Sequence, residues 1–364
     1  MDVSRVLLLG DQMYSDMPES MSVFDEAYFR TIAPRGRTSI LDCTREEVRH
    51  IYQARYRQYW KLPEMQELLS GWAGDARPDD HEIVDNFGAS PEHATARYRN
   101  LRDGALDAFY DYQAQRYLPR GAGGRPASFD HAFVHGPIAF FAADLRSEKH
   151  ADEARTRMMS DRQFEAIERF LRANGERHVV VLVLSLPLEH VPDWLVTAVA
   201  TVAGEASDAA DRWSYAKAAP DRDRLVRLLV AHQVAHPKQR IVVVGGDVHV
   251  GLAAQFTWKG APRPIVQLVS SALTNVHLPW LERLAEKLPL GCRNVSEVDG
   301  VPVEGHPLPG VDGLDRNPVG TLNFGTVHVR RIAKDESTVR LRLHGLADQA
   351  GGGEVHCVYD SGEL

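Results

Sequence analysis

Five unbroken apolar runs, each cut off by a glycine or a polar side chain, constrain this chain more than any other feature. They cover residues 6–9, 138–142, 179–186, 241–244 and 265–269. Continuous rather than alternating apolar residues belong to strands covered on both faces, which is the habit of parallel strands flanked by helices. The segments that end them are GDQMY, ADLR, SLPLEH, GGDVHVG and SSALTN. In α/β sheets, ligands gather beyond the carboxyl ends of the strands. The fold class read from this pattern is α/β, with chemistry placed at strand ends, in one domain over residues 1–364.

Helical stretches fall between the runs. Ser160-Asp-Arg-Gln163 has the form of a capping box, Phe164, Ile167 and Leu171 make one apolar face, and Gly175 closes the helix. Residues 222–236 keep the same spacing through Leu225, Leu228, Leu229 and His232. Residues 44–60 and 92–118 are longer helical stretches rich in Tyr and Arg, and 44–118 reads as an inserted helical cap. Within it, Tyr52, Tyr56, Tyr59 and Trp60 share a face, either as core packing or as a cover over a metal cleft. Residues 121–126 (GAGGRP) read as a flexible joint. Residues 291–320, rich in Gly and Pro, read as a long loop. Residues 325–332 and 338–344 alternate apolar and polar side chains, as the arms of a C-terminal hairpin do.

Charge narrows the partners. The 364 residues carry 42 Lys and Arg against 50 Asp and Glu, a net charge of −8. Such a chain is poorly suited to holding nucleic acid by backbone charge; a phosphate would need positive charge supplied locally. Cys43, Cys292 and Cys357 are odd in number and far apart, so they give neither a disulfide framework nor a metal knuckle. The opening MDVSRVLLLGDQMY is neither a signal peptide nor a membrane span, and with the cysteines this suggests a reducing, cytoplasmic setting.

Three clusters carry residues fit for metal chemistry. In Gly10-Asp11-Gln12-Met13-Tyr14, Asp11 follows a buried strand and a glycine, and Tyr14 is near enough to return to the same place; a turn with Asp as a helix cap is the plainer alternative. In Asp79-Asp80-His81-Glu82, followed by Asp85 and Asn86, like charges repel unless they are solvated or neutralised by a cation. In Gly245-Gly246-Asp247-Val248-His249, Asp and His two apart on an extended segment would face one ion. A mixed Asp, His and Tyr set without Cys points to iron, manganese, zinc or calcium rather than a structural zinc knot. Two such ions about 3.5–4 Å apart can clamp a phosphoryl group.

These motifs resemble the alkaline phosphatase D-like branch of the metallophosphoesterases. The matching strings are GDQMYSD, DDHEIVDN, ADLR, the Ser160 helix start, DRWSYAKAAPDRDRL, GGDVHVG and VSSALTN, in family order over about residues 6–275, and NFGTVHV is similar too. The resemblance implies a sandwich of two mixed β-sheets flanked by helices, two metal ions at one edge, and hydrolysis of phosphate mono- or diesters of small molecules. It implies Asp11 as the carboxylate bridging both ions, Tyr14 as a ligand of the more oxidised one, and Asp80 where relatives use Asn. Asp247 and His249 would be the last ligand pair, and Asn86 a further ligand or phosphate contact. His81 would protonate the leaving oxygen. Arg146, after the strand ending at Asp144, would hold a phosphoryl oxygen or else pair with Asp144. Family members begin with an earlier strand whose motif serves the first ion. None precedes Gly10 here, so either the chain is truncated or its start is misassigned, or a different residue completes the site, which leaves the occupancy of the first metal position open. Because relatives are often exported, export stays open beside the cytoplasmic reading. The rival readings are a catalytically inactive relative that binds a phosphorylated ligand or partner, and a calcium-stabilised structural protein.

Overall fold

The computed structural model describes residues 3–121, 124–190, 193, 196, 201, 208–271, 273, 293–334, 336–346 and 354–364. The chain divides into two compact units. The first comprises residues 1–129, 144–159 and 200–211; the second comprises 130–143, 160–199 and 212–364. Cys292 and nearly all of the segment 272–292, including half of SSALTN, lie outside the described residues.

The first unit is built around helices. They are α1 (Glu26–Ile32), α2 (Arg45–Trp60), α3 (Pro63–Gly71) and α4 (Ala96–Tyr112). Thr44 and Glu47 form a reciprocal capping box at the start of α2, which satisfies amide donors that the first helical turn leaves unpaired. Val48, Ile51, Tyr52 and Tyr56 line one face of α2 at helical spacing, and Leu101, Ala105, Ala108 and Phe109 line one face of α4. The two faces share one core with Phe29, Ile83, Phe87 and Phe129. Arg45 pairs with Asp107 at 2.5 Å and Arg49 with Asp111 at 2.7 Å, both 62 residues apart, so the helices run side by side in the same direction. The Tyr stripe is therefore core: Tyr52 and Tyr56 are fully buried, and Tyr59 and Trp60 pack against them.

Two short ladders complete this unit: β1 (Val6–Leu8) with β2 (Gly74–Ala76) in parallel, and β5 (His150–Ala151) with β6 (Thr156–Arg157). The run at 6–9 departs from expectation. It is half-buried, belongs to a separate two-stranded sheet, and takes its neighbour from residues 74–76. Its apolar run was too short to distinguish a central strand from a strand covered on one side.

The second unit carries an eight-stranded mixed sheet in the order β11-β12-β9-β10-β8-β7-β4-β3. The strands are β3 (His131–His135), β4 (Ile138–Ala142), β7 (Val179–Val183), β8 (Arg240–Gly245), β9 (Leu252–Trp258), β10 (Ile265–Val269), β11 (Arg293–Val298) and β12 (Val301–Pro307). The four remaining apolar runs form its parallel centre, β4, β7, β8 and β10, and every residue of β7 and β10 is buried. Helix α5 (Asp161–Ala173) starts at Ser160, whose side chain accepts from the Gln163 N–H, and buries Phe164, Ile167 and Leu171. Helix α6 (Ala219–Ala235) begins three residues earlier than expected because Pro220 serves its first turn.

Two expectations about the C-terminal third change. Residues 291–320 are not one loop: β11 and β12 pair across Asp299-Gly300, both with positive φ, and extend the sheet beside β9. Asp-Gly is the pair that a tight two-residue hairpin turn prefers; Pro302, Gly305 and Pro307 masked the alternation of β12. The hairpin gains a third strand, so β13 (Asn323–Ala333), β14 (Glu336–Leu346) and β15 (Val355–Asp360) form an all-antiparallel sheet rather than a mixed one. No helix among the described residues is long and apolar enough to cross a membrane.

At Gly104 α4 approaches α2 closely. A Cβ there would lie 2.5 Å from the Arg45 carbonyl oxygen and 2.6 Å from Val48 Cβ. In an exposed helix, Gly to Ala stabilises by about 1 kcal/mol. Here Gly104→Ala should instead destabilise the protein by about 1–3 kcal/mol, read as a lowered urea midpoint; an unchanged or raised midpoint would refute the close approach.

Candidate metal centre

The loop after β1 and the loop after β2 meet within the first unit. Gly10 has φ 125°, a left-handed region that favours glycine, and a Cβ on it would strike the Asp79 side chain. Asp11 follows at φ 56°, an uncommon conformation for a residue with a side chain. Both loops are held by Glu82. Its Oε1 accepts the N–H of Gln12 at 2.8 Å and of Met13 at 3.2 Å, and its Oε2 accepts those of Asp79 at 2.8 Å and Asp11 at 3.0 Å. Burial pushes the Glu82 carboxyl up from its usual range while these donors pull the other way.

Asp11, Asp80 and His81 converge, with one ligand-capable atom of each within 4.8 Å of the others. The Asp11 Oδ1 is buried and has no hydrogen-bond partner. Burial first, and then the Asp80 charge, raise the Asp11 carboxyl well above the ordinary carboxylate range. A buried carboxylate oxygen without a donor beside a second carboxylate is what a cation would relieve, so these residues fit a metal ion. Asp80 differs. Burial works to raise it, but Arg146, His81 and the Asn86 N–H outweigh burial and hold it well below its usual range. Its two oxygens accept the N–H groups of His81 at 3.0 Å and Asn86 at 2.6 Å.

His81 is built to carry a proton. Its Nδ1 lies 2.7 Å from Asp16 Oδ1, its Nε2 lies 3.9 Å from Asp85 Oδ1, and its ring stacks on Tyr14 at 4.1 Å. Burial disfavours the charged ring, yet Asp80, Asp11 and Asp16 together raise its pKa well above the ordinary histidine value. Tyr14 is anchored in turn by Arg55, which donates to its carbonyl at 3.1 Å. Tyr52 donates to the Ile83 carbonyl, so the core of α2 bears directly on the loop carrying Asp80 and His81.

A family model described as PhoD-like phosphatase matches residues 1–285. The chain belongs to the PhoD-like phosphatase family. A solved structure titled "Structure of PhoD" superposes with a TM-score of 0.54 at 14% identity, covering 98% of this chain and 66% of that one. At that identity the likeness concerns the fold. This PhoD-like chain spans just under two thirds of the length of that relative. A comparison with curated proteins gave no match.

Of the site residues expected from sequence, Asp11, Tyr14, Asp80, His81 and Asn86 gather in the first unit. Asn86, at φ 56°, donates its side-chain amide to Asp85 at 3.0 Å and Asp208 at 2.9 Å. Arg146 departs from expectation. It is 0% exposed, and its guanidinium is engaged by Asp79, by Asp211 at 2.7 Å and by the Phe87 carbonyl at 3.2 Å. It presents no open fork to a phosphate. Asp144 instead accepts the backbone N–H of Arg146 at 3.0 Å. Lys149 closes the same network on Asp211.

Asp247 and His249 lie in the second unit, just past β8. They are not on an extended segment: φ is 68° at Asp247 and 55° at His249, so the chain bends at each. The Gly246 N–H donates to the Ser185 carbonyl at 2.7 Å and the His249 N–H to Ser271 Oγ at 3.1 Å, which fixes the bend. Arg212 pairs with the Asp247 carboxylate.

The sequence reading placed Asp16, Asp79 and Glu82 inside its clusters, and Asp211 and Arg212 inside DRWSYAKAAPDRDRL, without giving any of them a role of its own, and it did not single out Lys149. For Glu82 and Asp16 the available signal was their place inside DDHE and GDQMYSD. Glu82→Gln keeps the shape but turns one acceptor into a donor facing N–H groups, and should cost about 2 kcal/mol or more. Urea unfolding reads this directly; a change below about 0.5 kcal/mol would remove Glu82 from its role as the tie between the loops.

Proposed function

We propose that this chain is a metal-dependent phosphoric ester hydrolase acting on small phosphate esters, mono- or diesters, at the centre formed by Asp11, Asp80 and His81. The observation that carries the reading is the Asp11 carboxylate oxygen, buried and without a donor, beside Asp80 in a chain of the PhoD-like phosphatase family. Asp11 and Asp80 would hold a cation, with Tyr14 and Asn86 beside them. Asp247 and His249 would hold the second of two ions, for which iron, calcium, manganese and zinc are the candidates. When bound, such cations supply charge stabilisation to the phosphoryl oxygens and acidify water.

The chain's own contribution centres on His81. A metal ligand must be a neutral imidazole, whereas a general acid must carry a proton. The contact with Asp16 and the nearby carboxylates favour the protonated ring, so His81 is assigned as the acid rather than a ligand. Asp16 holds Nδ1, leaving the Nε2 proton for transfer. Water adds to phosphorus and gives up a proton to solvent, the ester P–O bond breaks, the departing oxygen takes the His81 proton, and His81 regains one from solvent. The net charge of −8 favours a small substrate over a nucleic-acid backbone.

Two experiments test this reading. Asp11→Asn should remove most turnover and most metal uptake, measured by elemental analysis of protein purified without chelator. Because it also relieves the repulsion of a buried carboxylate, the same variant should melt at a higher temperature than the parent in chelator, while losing the rise in melting temperature that added Mn2+ gives the parent. Full metal content with full turnover would refute the assignment of Asp11. His81→Ala should lower the rate by about 10²–10⁴ for an alkyl ester and by much less for a nitrophenyl ester, whose leaving group needs little protonation. Equal losses on both would contradict the acid role. Ligand binding without turnover in the parent would favour the catalytically inactive reading.

A further inference from the structure

With Arg146 buried in ion pairs, the phosphate-binding cation expected of the site has to be sought elsewhere. Arg212 is the candidate. It opens the second unit's third segment, within DRWSYAKAAPDRDRL, and its Nη1 pairs with Asp247 Oδ2. The side chains are 16% and 10% exposed, so neither is sealed in the interior. Asp247 does not adapt to this partner through its backbone. Its φ of 68° follows a Gly246 N–H fixed to the Ser185 carbonyl, and the Val248 N–H returns to the Gly246 carbonyl at 2.8 Å. The backbone that carries the carboxylate is thus fixed by its own hydrogen bonds, and the longer Arg212 side chain reaches it. A guanidinium binds carboxylate and phosphoryl oxygens through the same fork.

We propose that Arg212 is a place-holding counter-ion: it occupies the Asp247 carboxylate where a divalent cation would bind and, once displaced, offers its guanidinium to the phosphoryl oxygens of the substrate. The inference rests on the phosphoesterase reading, because it takes Asp247 as a metal ligand. The exchange breaks and makes only ionic contacts. It keeps the carboxylate neutralised before cation loading, and it couples loading to the appearance of an anion site.

The test uses the full chain, Mn2+ as the cation and inorganic phosphate as the anion, both followed by titration calorimetry. Arg212→Gln should bind Mn2+ at least about threefold more tightly, on the scale of losing a partly exposed ion pair, and the Mn2+-loaded variant should bind phosphate about tenfold more weakly, on the scale of a lost charge-assisted contact. Arg212→Lys should recover part of the phosphate affinity. In an Asp247→Asn background, Arg212→Gln should no longer change Mn2+ affinity, since the competition needs the carboxylate. An effect that survives in that background is long-range electrostatics and overturns the place-holding role. Unchanged phosphate affinity overturns the substrate role. If Mn2+ binds the parent normally and Arg212→Gln leaves that affinity unaltered, only this inference fails. If the parent binds no Mn2+, the phosphoesterase reading falls with it.

Discussion

The carboxylate of Glu82 is the contact on which the candidate centre depends. Four backbone N–H groups from two loops, more than 65 residues apart in sequence, end on its two oxygens. A single buried carboxyl group thus does for these loops what a strand partner does for a sheet edge: it satisfies donors and sets register. The positive φ at Gly10 and Asp11 follows from that arrangement, because the chain must turn its amides toward one point. The side chain of Asp11 meets Asp80 and His81, with one ligand-capable atom of each within 4.8 Å of the others. Backbone strain at a functional residue is held by surrounding bonds rather than by its own preference.

The electrostatics around this tie are graded. Asp80 sits against cationic neighbours and stays ionised, whereas Asp11 sits against anionic ones and resists ionisation. The difference arises from neighbours, since both side chains are deep. Arg146 belongs to the ionised side of the gradient, where it faces Asp79 and Asp211 and lies 3.8 Å from Asp80. The first unit therefore surrounds Asp79, Asp80 and Asp211 with cationic partners and leaves a buried Asp11 oxygen without a donor, which is where a cation has most to gain.

What the sequence made legible was local. Continuous apolar runs located the parallel centre of the large sheet because burial on both faces leaves a mark on consecutive residues. Ser160 located a helix start because capping is a contact over three residues. DDHE and GDQMY announced themselves as charge at places where a fold would otherwise avoid it. What stayed illegible was pairing at a distance. Nothing near Val6 says that its neighbour is Gly74, and nothing near Arg146 says that it will be enclosed by Asp79 and Asp211. The bend at Asp247 was hidden for a related reason: Asp and His two apart read alike on an extended segment and in a left-handed turn. The hairpin at Asp299-Gly300 was legible in principle, but prolines beside it suggested a loop.

The first unit is assembled from three stretches of chain, and its ionic interior is split among them. Asp79, Asp80 and Glu82 come from the first stretch, Arg146 and Lys149 from the second, and Asp211 from the last position of the third. During synthesis the acidic loop is therefore complete long before the cations that neutralise it, and those cations wait in turn for Asp211. A nascent chain ending before Asp211 would have to bury charges without their partners, so this unit cannot mature from its amino end forward. Its ionic interior is complete only once the chain has been made through residue 211, after the first two of the three stretches of the second unit.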